Sequence, residues 1–81
     1  MRRLSSVQVL TFSRDEQETV LLFDYEKGQW IFETTIGKHI TKAKQKFGDI
    51  LIVTAVDKNG RATRVRCWLP ENVIWFKSIN E

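Results

Sequence analysis

The sequence predicts a mainly β fold, a small antiparallel barrel or bent sheet of five to six strands with at most one short helix. Three observations lead there. Asn59-Gly60 divides the β-rich stretch 49–69 in two, and Asn-Gly is the strongest short-range marker of a two-residue hairpin, because a type I′ turn needs φ > 0 at both central residues. A second pair of β-rich runs, residues 19–25 and 30–36, flanks Glu26-Lys27-Gly28-Gln29. In both pairs apolar side chains recur with period two, the period at which a strand turns successive side chains to opposite faces.

Taken in order, residues 7–12 read as a first strand, with Val7, Val9 and Thr11 on one face and Gln8, Leu10 and Phe12 on the other. Residues 13–18 are too polar to bury and too few for a stable helix, so they are expected to loop between antiparallel strands. In the next hairpin Tyr25 pairs with Trp30 and Phe23 with Phe32, which puts four aromatics and Leu21 on one face, read as core. Leu22, Asp24, Glu33 and Thr35 take the other face. The segment GKHITKAKQKFG, residues 37–48, is bracketed by glycines and reads as a long connection with one or two helical turns. As a helix it would turn Ile40, Ala43 and Phe47 inward; as an extended strand it would point Lys38, Lys42, Lys44 and Lys46 one way.

With Asn59 and Gly60 as the loop, the central hairpin pairs Lys58 with Arg61, Val56 with Thr63, Thr54 with Val65, Ile52 with Cys67 and Ile50 with Leu69, a nearly apolar face. The opposite face sets Ala55 beside Arg64, Val53 beside Arg66 and Leu51 beside Trp68. Pro70 then ends strand pairing, Glu71 and Asn72 turn the chain, and residues 73–79 form a last short strand.

Eighty-one residues make one domain, and a composition 42% hydrophobic and 11% aromatic supplies a core and argues against low-complexity disorder. The single cysteine, Cys67, has no internal partner and reads as a small buried hydrophobe in a chain suited to a reducing compartment. Polar Ser5, Ser6, Gln8 and Thr11 interrupt any apolar leader after Met1-Arg2-Arg3, and no run approaches membrane-spanning length. A cytoplasmic protein without membrane contact is expected. Its net charge of +3 is unevenly placed: residues 37–66 hold eight lysines and arginines against two aspartates, while residues 1–36 hold four cations against six anions. Such asymmetry points to an anionic partner.

Three short stretches, VLLFDYEKG (20–28), FGDILIV (47–53) and WLPENV (68–73), resemble in order the opening Ala-Leu-Tyr-Asp-Tyr run, the Gly-Asp strand entry and the closing Pro-Ser-Asn-Tyr-Val of the Src-homology-three-like small barrels. The resemblance covers residues 20–76 and implies a peptide groove lined by Tyr25, Pro70 and Asn72. Arg64-Val65-Arg66 stands where that family has adjacent tryptophans, and Val73 where it has tyrosine.

Catalytic signatures are absent. His39 is alone among lysines and is read as a solvated loop histidine, the glycines are isolated turn residues, and Asp15, Glu16 and Glu18 sit in a polar loop where nothing raises a carboxyl pKa. A non-enzyme with no cofactor and no metal is expected. The favoured function is binding of single-stranded DNA or RNA, with Lys38, Lys42, Lys44, Lys46, Arg61, Arg64 and Arg66 on phosphates and Trp68 stacking a base. The alternative is a protein-interaction module or small inhibitor that meets an acidic protein surface, and a homodimer burying the second hairpin's face is a further expectation.

Overall fold

A computed structural model describes residues 2–73. Its elements are β1 (Arg2–Val9), β2 (Thr19–Asp24), β3 (Gln29–Thr34), α1 (Gly37–Phe47), β4 (Ile52–Val56) and β5 (Ala62–Pro70), with 3₁₀ turns at Arg14–Glu16 and Glu71–Val73. The strands form one sheet in the order β1-β4-β5-β3-β2. The fold is mainly β with five strands and one helix, as expected. The sheet stays open rather than closing into a barrel, and β1 runs parallel to β4 while the other pairs are antiparallel. Of the expected last strand over 73–79, Val73 closes the second 3₁₀ turn and the rest lies outside the described residues.

The first strand begins earlier than expected, at Arg2, and lies on the edge of the sheet opposite β2. Residues 10–18 therefore do not join neighbouring strands; they cross one end of the sheet. Leu10 N–H donates to the Val56 carbonyl at 2.9 Å, the Thr63 hydroxyl donates to the Leu10 carbonyl at 2.6 Å, and Thr35 N–H donates to the Glu18 carbonyl at 3.0 Å. These bonds satisfy backbone groups that the polar sequence could not have buried. Within the crossing, Ser13 N–H donates to Glu16 Oε1 at 2.9 Å and holds that carboxyl below its ordinary pKa.

In the β2–β3 hairpin Trp30 and Phe32 of the expected aromatic face pack at the margin of the core, but Leu21 is 38% exposed and Tyr25 is exposed in the turn, so that face is not the core it was read as, and the register moves by two. Phe23 pairs with Trp30 and Leu21 with Phe32, because Tyr25 belongs to a four-residue turn closed by Gly28 N–H on the Asp24 carbonyl at 2.8 Å. Gly28 carries φ +63°, a value glycine adopts without a Cβ penalty.

The central hairpin departs further. Its loop has three residues, Lys58, Asn59 and Gly60, and only Gly60 has positive φ, at +84°. Asp57 N–H donates to the Arg61 carbonyl at 2.8 Å, while Asp57 Oδ1 accepts from Asn59 and Arg61 N–H, each at 2.9 Å. This fits a type I turn followed by a left-handed glycine, organised by Asp57, and the negative φ of Asn59 excludes the type I′ form. The pairs are Val56 with Ala62, Ala55 with Arg64, Val53 with Val65 and Ile52 with Arg66, with an irregularity on each side of Ala55. Ala55 does lie opposite Arg64 as expected, but Arg66 faces Ile52, not Val53. Leu51 and Val53 are buried, and Ile52, expected in the core, is not. Thr54, expected on the apolar face, meets Arg64, whose Nε donates to the Thr54 hydroxyl at 2.8 Å.

Residues 37–47, expected to be a long connection with one or two helical turns, form a full 11-residue helix. Its stripe is the expected one, with Ile40 and Ala43 buried and Phe47 half-buried against β3 and β5. Neither end has a side-chain cap, so packing of that stripe holds the helix in place of local capping. Ile40 and Ala43 close over Leu51, Val53, Val56, Val65, Cys67 and Leu69, with Phe32, Trp30 and Ala62 at the margin. Among the described residues this main apolar cluster lies on the helix side of the sheet, while Thr54 is buried on the other side beneath Arg64.

Candidate nucleic-acid interface

The expected binding residues do not form one surface. Lys38, Lys42, Lys44 and Lys46 lie on α1, whereas Arg64, Arg66 and Trp68 lie on the opposite face of the sheet, which no helix covers among the described residues. Arg61, at the foot of β5, stays with the helix: it lines a cleft with Lys44, Thr41 and Gly60. The five-strand sheet stands between the two groups, so a ligand segment on one cannot reach the other without passing an edge.

On the helix side all four lysines are exposed, and α1 contains no acidic residue. Among the described residues, none of the four makes an ion pair within 4.0 Å. Lys38, Lys42 and Lys46 follow one another at i, i+4 and i+8, a stripe about 12 Å long at 1.5 Å per residue. Arg14, which sequence reasoning passed over, lines a shallow cleft beside Lys38 at the start of the helix. Between α1 and β3 lies a recess of about 180 Å³ lined by Phe32, His39, Lys42, Ala43, Lys46 and Phe47. The Phe32 and Phe47 rings meet there at 6.4 Å and 59°. His39 is not a solvated loop residue: it sits half-buried in the first turn of α1, with its Nδ1 hydrogen-bonded to the Thr19 hydroxyl, which in turn meets the buried Thr34 hydroxyl at 2.6 Å.

The open face differs electrostatically. Glu33, on β3, stands directly opposite Arg66 of β5, and its Oε2 accepts from Arg66 Nη2 at 3.1 Å with Arg64 Nε at 4.0 Å. Arg64 also donates to Gln8 Oε1 at 3.1 Å and stacks its guanidinium 5.9 Å from the Phe12 ring. Trp68 lies opposite Ile31, with Lys27 Nζ 5.2 Å from its ring centroid. The interleaving of arginines and an aromatic on this face was expected. The partial compensation of its two arginines by the single carboxylate of Glu33 was not, since nothing local to either hairpin reveals that β3 and β5 are neighbours.

Tyr25, Pro70 and Asn72 gather at one end of the sheet. Tyr25 follows Asp24, Asp24 pairs with Gln29, and Gln29 pairs with Pro70, so the two turns adjoin. All three are exposed, Tyr25 by 89%, and Trp30 Nε1 donates to the Glu71 carbonyl at 3.2 Å to hold the second 3₁₀ turn against β3. Among the described residues no three His, Cys, Asp or Glu side chains come together as a metal-binding group, and no helix is long and apolar enough to cross a membrane. The chain matches no family model, no curated protein and no solved structure.

Proposed function

We propose that the protein is a non-enzymatic nucleic-acid-binding module that holds phosphates on α1 and its flanks. The observation that carries this reading is the helix itself: four exposed lysines, no carboxylate on the element, and no ion pair to satisfy them among the described residues. Lysines in this arrangement pay a small cost in mutual repulsion, which an anionic partner with evenly spaced charges relieves. Arg61 and Arg14 extend the surface to either side. The open face supports the reading less, because Glu33 already offsets one of its two arginine charges. A single strand fits better than a duplex, since one short helix beside a flat sheet offers phosphate contacts without a protruding element to enter a groove. The buried lone cysteine accords with a reducing, cytoplasmic setting.

The test is a salt titration. Binding of a labelled single-stranded oligonucleotide should weaken with a log–log slope of about −0.7 per phosphate contact, hence about −3 if all four lysines engage. No binding to either single-stranded DNA or RNA at low salt rules the reading out.

One further observation favours a second reading, a protein-interaction module of Src-homology-three-like type. Tyr25, Pro70 and Asn72 share one exposed end of the sheet, where a peptide could meet all three. The edge strand β2 also presents Thr19 to Phe23 without a charged side chain, so strand addition or self-pairing meets no electrostatic barrier there. This reading predicts a specific polypeptide partner or a homodimer and no affinity for oligonucleotides.

A further inference from the structure

We infer that the recess between α1 and β3 seats one unpaired nucleobase, an inference that rests on the nucleic-acid reading above and moves the stacking aromatic from Trp68 to the helix side. The recess holds about 180 Å³, room for a single flat ring system. Its walls are the carbon surfaces of Phe32, Phe47 and Ala43, and the two phenyl rings, 6.4 Å apart and inclined at 59°, form an angled corner. A base on the Phe47 ring would therefore lie against that ring alone instead of sliding between two. Such a contact tolerates any base, because every base has a π-face.

Charge complementarity selects the occupant. Lys42 and Lys46 line the same recess one helical turn apart, about 6 Å along the axis, and Lys38 continues the stripe by one more turn. An apolar seat between two ammonium groups fits a ligand whose aromatic part is flanked on both sides by negative charge. A nucleotide within a strand has that form: one base with a phosphate before it and another after it. Trp68 is the weaker platform. It faces away from these lysines, and the Lys27 ammonium already lies 5.2 Å from its ring centroid. Bases in a duplex have their faces covered by stacking, so a seat of this kind also favours single strands.

The experiment compares, on the full chain, an ordinary labelled single strand with an abasic strand of the same length, which keeps the phosphates and lacks the bases. Stacking on an aromatic contributes roughly 5- to 150-fold per base, so the abasic strand should bind weaker by a factor in that range while its salt slope stays the same. Phe47→Leu keeps the apolar volume and removes the π-face; it should bring the ordinary strand down to the abasic affinity and leave the abasic strand unchanged. A thermal melt confirms that the variant is folded, and Trp68→Ala should preserve the difference between the strands. Equal affinity for both strands would show that phosphates alone are recognised and would overturn the seat while sparing the nucleic-acid reading. No binding by either strand defeats both. If Trp68→Ala abolishes the difference and Phe47→Leu does not, the base stacks on the open face and the inference is wrong. Displacement of the ordinary strand by a lower concentration of an acidic peptide bearing one phenylalanine reassigns the recess to a protein partner.

Discussion

Cys67 has no exposed surface and no partner thiol, and burial pushes its pKa up to about 11. Because the folded pKa lies above that of the unfolded thiol, the neutral group's contribution to stability is complete below about pH 9 and is lost as pH rises toward 11. Denaturant midpoints should therefore decline over that window more steeply for the parent than for Cys67→Ala, and equal declines would mean that the thiol is not protected. Leu51 and Ile52 make a sharper pair at this scale. Leu51 is fully buried on the helix side, whereas Ile52 stands opposite Arg66 on the open face. Leu51→Ala should cost about 2 to 5 kcal/mol, and Ile52→Ala less than about 1 kcal/mol, in urea unfolding.

At the scale of elements, the turn between β4 and β5 depends on one aspartate and one glycine. Gly60→Ala forces a Cβ into positive φ and should cost roughly 1 to 2 kcal/mol. Asp57→Ala removes the acceptor of two backbone N–H groups and should destabilise by about 1 kcal/mol. Asn59→Ala, in contrast, should change stability by less than about 0.5 kcal/mol, since Asn59 has ordinary negative φ. A large loss at Asn59 would return the turn to type I′. The helix carries its own conflict between stability and binding. Its first turn holds Lys38 and no acid, where the macrodipole favours negative charge. Lys38→Glu should raise stability by about 0.3 to 1 kcal/mol while weakening oligonucleotide binding, and unchanged binding would detach Lys38 from the interface.

Among the described residues positive charge lies on two sides of the sheet; on the open face one carboxylate offsets two arginines, and on the helix side none of the four lysines is offset. Replacing Lys42 and Lys46 together with alanine should flatten the salt slope by about 1.4, two contacts at 0.7 each. The paired change Arg64→Ala and Arg66→Ala should flatten the slope by no more than about 0.7, because the Glu33 carboxylate already offsets one of those two charges. The reverse result, a slope lost with the arginines and kept without the lysines, would place the nucleic acid on the open face.

The sequence by itself determined the two hairpins and the inward face of β5. Alternation in residues 19–36 and 62–69 announced strands, and β5 turned Val65, Cys67 and Leu69 inward as its pattern required, whereas residues 37–48 were open between a few helical turns, with Ile40, Ala43 and Phe47 inward, and an extended strand. These are local properties, set by the periods at which side chains leave a strand or a helix. Tertiary structure alone decided what stands beside what. One residue more in the 57–61 turn, together with the irregularities around Ala55, exchanged Ile52 for Leu51 and Val53 in the core, since a one-residue slip inverts a strand's faces. The parallel placement of β1 against β4 sent residues 10–18 across the sheet, although their composition says only that they form a loop. The pairing of β3 with β5 brought Glu33 to Arg64 and Arg66, residues more than thirty positions away, and so reduced the free charge of the open face relative to α1. Such neighbours are fixed by the packing of one shared core, and no window of the chain contains both partners.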